Sequence, residues 1–159
     1  MACEFLWNDV QEVSLNTPVL FRSSIPCTRG LVLHEDETGN FILRGPGSNA
    51  NCCNQYAHYQ VTFNGNIGIP EGGEPGVPIA IALAVNGEPR LTSRAIYFPT
   101  STTDTGDYGN VTSTAIIKVP RCCCFTLSVE AVLGTADPTI LPTPIIEVQN
   151  ANLTIARVA

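Results

Sequence analysis

The fold is decided by residues 56–69, which read YAHYQVTFNGNIGI. Tyr59, Val61 and Phe63 share one parity in this stretch, and all of them are apolar or aromatic. Polar residues such as Thr62 occupy the other parity. Successive side chains of a β-strand point to opposite faces, so the stretch predicts a strand with one buried face and one wetter face.

The same alternation recurs along the chain in short segments. Residues 31–35 and 40–44 predict a hairpin, and residues 79–85, IAIALAV, are typical of a strand that is covered on both faces. Residues 86–87, Asn-Gly, favour a tight turn between strands. We expect eight to ten strands and no long helix, which predicts an all-β sandwich of two antiparallel sheets. Spacing alone leaves immunoglobulin-like, barrel and jelly-roll topologies open.

Composition excludes several classes of protein. The chain has 159 residues, of which 14% are charged, and its formal net charge is -6. An acidic chain offers no basic face to nucleic acid, and no stretch reaches the roughly 18 apolar residues of a membrane span. The N-terminal residues lack a basic start and a long apolar run, so we expect no secretory signal peptide. The 13 Gly and 12 Pro are dispersed, as turns require, within one domain.

Several sequence blocks occur in a characteristic order. They are 59–67 (YQVTFNGNI), 81–89 (IALAVNGEP), 112–119 (TSTAIIKV), 125–129 (FTLSV) and 150–158 (NANLTIARV). With these blocks the last hundred residues resemble the jelly roll of tumour necrosis factor and of the complement globular heads. The version they resemble is found at the C-termini of bacterial collagen-like surface proteins such as the exosporium glycoprotein.

A second resemblance covers nearly the whole chain, including residues 1–7, MACEFLW. The chain is similar to small virion-associated structural proteins that are encoded by tailed phages of gut Firmicutes. It has no Gly-X-Y stalk before the head, so we expect attachment through the surface of the domain or through residues 1–18. In that segment Phe5, Leu6 and Trp7 are a candidate docking anchor, and the alternative is a first strand that covers the end of the sandwich.

Together the resemblances imply that residues 19–159 form an antiparallel jelly roll and that the chain is a non-catalytic homotrimer. Side chains of the inner sheet would then meet around a three-fold axis. The candidates for trimer contacts or for core packing are Tyr59, Val61, Phe63, Phe125 and Leu127.

Cysteine is unusually frequent for a chain of this kind, and its positions are Cys3, Cys27, Cys52, Cys53, Cys122, Cys123 and Cys124. Neither the pair nor the triplet has the spacing of a zinc site. If the alternation continues through the triplet, Cys123 packs with Phe125 in the core, and its two neighbours share the other face. Three alternatives stay open: free thiols, disulfides that join Cys52 or Cys53 to the triplet or to another subunit, and a metal on the trimer axis.

One pattern points towards catalysis. His34 and Asp36 have the His-x-Asp spacing of a facial iron triad, and His58 is the sole candidate for its second histidine. The first two residues fall in an acidic hairpin turn, so the sequence favours a solvated hairpin end over a metal site. We expect no enzymatic activity, no metal and no cofactor.

The sequence favours a structural module on the exterior of a phage virion, in contact with other virion proteins. A cysteine-rich spore-surface protein, in contact with a surface layer, is one alternative, and a head that binds host glycans is another. Nucleic acid and membranes are not expected as partners.

Overall fold

Twelve strands form two antiparallel sheets in the computed structural model, which describes residues 2–27, 30–47, 55–137, 139–141 and 143–159. The strands are β1 (Ala2–Trp7), β2 (Gln11–Ser14), β3 (Arg22–Ile25), β4 (Val32–His34), β5 (Phe41–Arg44), β6 (Tyr56–Gly68), β7 (Ile79–Val85), β8 (Glu88–Pro89), β9 (Ala95–Tyr97), β10 (Gly109–Pro120), β11 (Cys124–Leu133) and β12 (Ile145–Arg157).

Each sheet contains six strands. Sheet A has the order β10-β6-β12-β1-β3, with β2 also paired to β12, and sheet B has the order β4-β5-β11-β7-β8, with β9 also paired to β7. Every pairing within these sheets is antiparallel. This architecture confirms the predicted all-β sandwich of two antiparallel sheets.

The core lies between the two sheets and is filled by alternate residues of the strands. Tyr59, Val61 and Phe63 point inward from β6 and are fully buried, as is Leu127 of β11. Phe125 is half-buried and packs against the edge of this core. Four of these five candidates for trimer or core packing are therefore core residues, enclosed within their own sandwich.

Aromatic side chains pack edge to face in the core between the two sheets. Phe63 of sheet A meets Phe21 edge to face at 6.4 Å, and Phe5 meets Phe41 of sheet B at 4.7 Å. Edge-to-face pairs add about 0.5–1.5 kcal/mol to the stabilisation from burial. The N-terminal strand is thus anchored by its own aromatic side chain.

The N-terminal segment contributes two strands to sheet A and then crosses to sheet B, where Pro18 bridges to Glu130 of β11. β1 lies between β12 and β3, and β2 pairs with the first residues of β12. A disulfide between Cys3 and Cys27, with Cα atoms 4.8 Å apart, ties β1 to the chain that follows β3. The described helices are short 3-10 turns, and none of them is long and apolar enough to cross a membrane.

The last strand differs from the pattern of the sequence. Polar residues at 149 and 150 interrupt the alternation, yet β12 runs from Ile145 to Arg157 because a bulge between Gln149 and Asn152 keeps the pairing with β6. Asn150 adopts a φ of 54° in this bulge. Asparagine tolerates the left-handed region better than most residues, which explains why a strand interrupted by polar residues continues here.

The hydroxyl of Tyr59 makes hydrogen bonds whose contribution to stability can be measured. It lies 3.2 Å from the carbonyl oxygen of Leu31 and 2.5 Å from that of Arg44, so it links β6 to the ends of sheet B. We expect Tyr59→Phe to lower the free energy of unfolding by about 1–2 kcal/mol, measured by urea denaturation at neutral pH. Tyr56→Phe, at an exposed ring of the same strand, is the matched control and should leave stability unchanged.

The dependence of the free energy of unfolding on pH provides a second measurement of the same hydroxyl. Burial raises the pKa of Tyr59 above its usual value near 10. The unfolded chain therefore loses the proton first, and the stability that the neutral hydroxyl provides declines as pH rises above about 10. The Phe variant should show a shallower decline, and an equally steep one would contradict this account.

Candidate functional site

The outward face of sheet A carries a band of short polar side chains, which we call the polar ladder. They project from β6, β10 and β12, opposite to the core, and each is exposed or half-buried. None of them carries a charge. The members are Thr62, Asn64, Asn66, Asn110, Thr112, Thr114, Asn152 and Thr154.

Hydrogen bonds across the strands hold the polar ladder in place. Asn64 faces Thr112 in the register and donates to its hydroxyl at 2.8 Å, and it also donates to Asn110 at 3.3 Å. The hydroxyls of Thr62 and Thr114 are 3.1 Å apart. Side chains that are already ordered lose little conformational entropy on association, so this face is prepared for contact with another surface.

Charged and apolar side chains flank the polar ladder at the end where β6 begins. Ile116 is 60% exposed and Tyr56 is 42% exposed. The ammonium group of Lys118 lies 3.8 Å from the centre of the Tyr56 ring, a cation–π contact. On the other side, Glu4 of β1 is paired with Thr154. Charges beside a neutral centre are the arrangement that protein interfaces favour.

A second surface, the apolar edge, lies where β10 packs beside β9 and the short 3-10 turn Leu91–Ser93. Two hydrogen bonds join β10 to residues 90–93 here. The Ser113 hydroxyl donates to Ser93 O at 2.8 Å, and the Arg90 guanidinium donates to Ile116 O at 3.3 Å. Exposed apolar side chains in such number typically mark a contact with another protein. The apolar edge comprises Leu91, Ile96, Phe98 and Ile116, each at least half exposed.

An apolar groove of about 530 Å³ adjoins the apolar edge and shares Leu91 with it. Leu15, Val132 and Leu133 line the groove, and the Arg94 guanidinium closes part of its rim by donating to Leu133 O at 3.0 Å. The groove extends the apolar surface around the side of the sandwich.

The loop before β10 is fastened by Asp107. Its carboxylate accepts hydrogen bonds from the Tyr97 hydroxyl and from the backbone amides of Thr100 at 3.0 Å and Ser101 at 2.9 Å. The Tyr97 hydrogen bond, followed by the Ser101 amide, lowers the pKa of Asp107, and it raises the pKa of Tyr97. A Cβ at Gly109 would clash with the Tyr97 ring, so glycine lets β10 begin beneath that ring.

The three residues of the candidate docking anchor lie in different environments. Phe5 is 2% exposed and belongs to the core, so it does not face a partner. Leu6 and Trp7 are half-buried and border a groove of about 350 Å³. The Arg22 guanidinium lies over the Trp7 ring, 4.5 Å from its centre. A docking role is therefore open to Leu6 and Trp7.

The cysteines fall into three groups. Cys3 and Cys27 form the disulfide described above. Cys52 and Cys53 lie outside the described residues. The triplet at residues 122–124 carries free, exposed thiols.

The expectation for Cys123 is wrong. It was placed with Phe125 in the core, but its side chain is exposed. β10 ends at Pro120, and Cys122 adopts a φ of 60°, so the chain turns through Cys123 instead of continuing as a strand. The alternation of faces begins again at Cys124, where β11 starts.

The three candidate ligands of an iron site, His34, Asp36 and His58, do not form a common site. His34 stacks on the Phe41 ring at 4.2 Å, and its Nε2 lies 3.0 Å from Thr38 O. Asp36 accepts a hydrogen bond from the Ser23 amide, and His58 belongs to the other sheet, on β6. Among the described residues, no three His, Cys, Asp or Glu side chains gather where they could hold a metal ion.

Comparison with known proteins identifies the fold. No protein-family model matches the chain, and no curated protein sequence matches it. Among solved structures, the chain is similar to the tumour necrosis factor Eiger of S. frugiperda, with a TM-score of 0.63 and 14% identity over 100% of this chain and 92% of that one. It is also similar to the globular domain of zebrafish complement 1qA, with a TM-score of 0.56 and 14% identity over 99% and 97% of the two chains.

These likenesses define the class of fold. The chain is a jelly roll of the type shared by tumour necrosis factor and the complement globular heads, as the sequence blocks predicted.

Sequence reasoning recognised the wetter face of residues 56–69 but gave it no role. The signal was present in the sequence, since 110–114 alternates in the same way and carries no charge on its polar parity. The apolar edge had no such signal, because Leu91 and Phe98 lie outside regular strands.

Substitution of Asp107 tests the fastening of the loop. The carboxylate is the charged form that accepts the hydrogen bonds, so its contribution is complete above the usual aspartate pKa near 4 and is lost as pH falls through the lowered pKa. We expect Asp107→Asn to accelerate amide hydrogen exchange at Thr100 and Ser101 at neutral pH. Asp104→Asn, in the same loop, is the control, and equal effects of the two variants would refute the assignment.

Proposed function

We propose that this chain is a non-catalytic structural module that assembles as a homotrimer and decorates the exterior of a phage virion. The charge-free polar ladder carries the proposal. A solvated face of an antiparallel sheet ordinarily carries charged side chains, whereas the centres of protein interfaces are depleted of them. On a chain whose net charge is -6, a neutral face is a surface through which copies can approach without repulsion.

A trimer needs two different surfaces on each copy. In a cyclic trimer every contact is heterologous, so one patch of a copy meets another patch of its neighbour. The polar ladder and the apolar edge are two such patches, on adjacent sides of the sandwich, and both end on β10. The resemblance to the tumour necrosis factor and complement jelly rolls implies a homotrimer, which supports the same assembly here.

Attachment to a particle requires a surface that the trimer leaves open. Leu6 and Trp7 of β1 border a groove with Arg22, beside the β12 edge of the polar ladder, where Leu6 is paired with Asn152. The expectation from the sequence that the opening residues, MACEFLW, resemble those of phage virion proteins favours this segment as the docking element. An interfacial tryptophan supplies a large apolar contact at low entropic cost.

A charge placed in the polar ladder tests the trimer. We expect the wild-type chain to have a native mass of about 51 kDa, three times its chain mass of 17.0 kDa, by light scattering coupled to gel filtration. Thr112→Lys adds one cation per copy at the contact, and it should shift the mass towards the monomer. Thr126→Lys, an exposed threonine of β11 on sheet B, is the matched control and should remain trimeric. A wild-type monomer, or two equally trimeric variants, would refute the role of the polar ladder.

Mass spectrometry of purified particles tests the virion role. Phage virions and spores purified from the same source should contain this chain in the virion fraction at structural copy number and lack it in the spore coat. Detection in spores alone would favour the spore-surface alternative, and absence from both would overturn a structural role on either particle.

A further inference from the structure

Three free thiols project from one fixed turn at the end of the sandwich. The segment, which we call the cysteine turn, comprises residues 121–123 between β10 and β11 together with Cys124, the first residue of β11. Its backbone is held by hydrogen bonds from the Cys122 amide to Pro46 O at 2.8 Å and from the Gly45 amide to Cys123 O at 2.9 Å. The thiols are thus presented at a defined position on the surface.

The three thiols cannot all pair among themselves. Cα atoms of adjacent residues are about 3.8 Å apart, which is shorter than the roughly 4.4–6.8 Å that an ordinary disulfide spans. A bond within the cysteine turn could therefore join Cys122 to Cys124 and nothing else. One thiol always remains for a partner outside the turn.

Position favours another copy of this chain as that partner. The cysteine turn follows β10, the strand that carries four of the twelve residues of the polar ladder and the apolar edge. Cyclic symmetry places the three turns of a trimer at the same end, which raises the local concentration of thiols from other copies.

We propose that the cysteine turn is a covalent cross-linking site that forms disulfides with the cysteine turn of a second copy of this chain. The inference deepens the proposed function and relies on it for the proximity of the copies. In each link one thiol of each copy loses its proton, and the two sulfurs lose two electrons to a low-molecular-weight disulfide, which leaves as two thiols. The Cys3–Cys27 disulfide needs the same class of oxidant, so no additional reagent is required.

The test uses the full chain, treated with oxidised glutathione and analysed on a denaturing gel without reductant. We expect covalent dimers and larger species that collapse to the 17.0 kDa chain when reductant is added. The Cys122→Ser/Cys123→Ser/Cys124→Ser variant should lose these species. The Cys52→Ser/Cys53→Ser variant is the matched control and should retain them, and peptide mapping should find the link between two cysteine turns.

Three results would overturn the proposal: monomers throughout, glutathione adducts on the turn without links between chains, or cross-links that vanish in the Cys52→Ser/Cys53→Ser variant. Native mass in reductant separates this outcome from that of the trimer. A wild-type chain that is monomeric in reductant but still cross-links through the turn would refute the trimer and support the cross-linking site. The triple-serine variant should keep the native mass of the wild type, since the thiols lie outside the polar ladder.

Discussion

The pairing of β6 with β10 on one side and with β12 on the other is the constraint on which the molecule depends. The pairing with β10 is continuous from Tyr56 opposite Pro120 to Ile67 opposite Gly109. Because side chains alternate, the burial of Phe63 also fixes the outward direction of Thr62 and Asn64. A slip of one residue would bury the amides and expose the aromatic rings, so the core and the polar ladder follow from one register.

Charge is distributed towards the periphery of this scaffold. Acidic residues lie in the hairpin turn at 35–37 and in the loop at 71–74, and basic residues gather at the cysteine turn. The neutral centre of sheet A separates the two. A protein arranged in this way presents a broad neutral surface between charged ends.

The parts of the fold that depend on local chemistry could be predicted from the sequence. Alternation in 56–69 identified β6, and Asn86-Gly87 gave a turn in which both residues have positive φ. The errors arose where a turn interrupts the alternation. At Cys122 a positive φ ends the period, and at Asn150 the bulge hides the continuity of β12 behind polar residues. The hydrogen-bonded polar ladder needs the register between strands, which no single segment encodes.

Both ends of the described chain lie at one end of the sandwich. Ala2 is paired with Ala156, and the backbone oxygen of Ala159 accepts a hydrogen bond from the His58 amide, next to the strand end that carries the cysteine turn. The loops at 70–78 and 100–108 lie at the opposite end of β6 and β10. The two ends of the sandwich are therefore different, since one carries both termini and the thiols and the other carries these two loops. A fluorescent protein or an affinity tag fused at either terminus would emerge beside the thiols and leave the far loops unobstructed, so a display library is best inserted there.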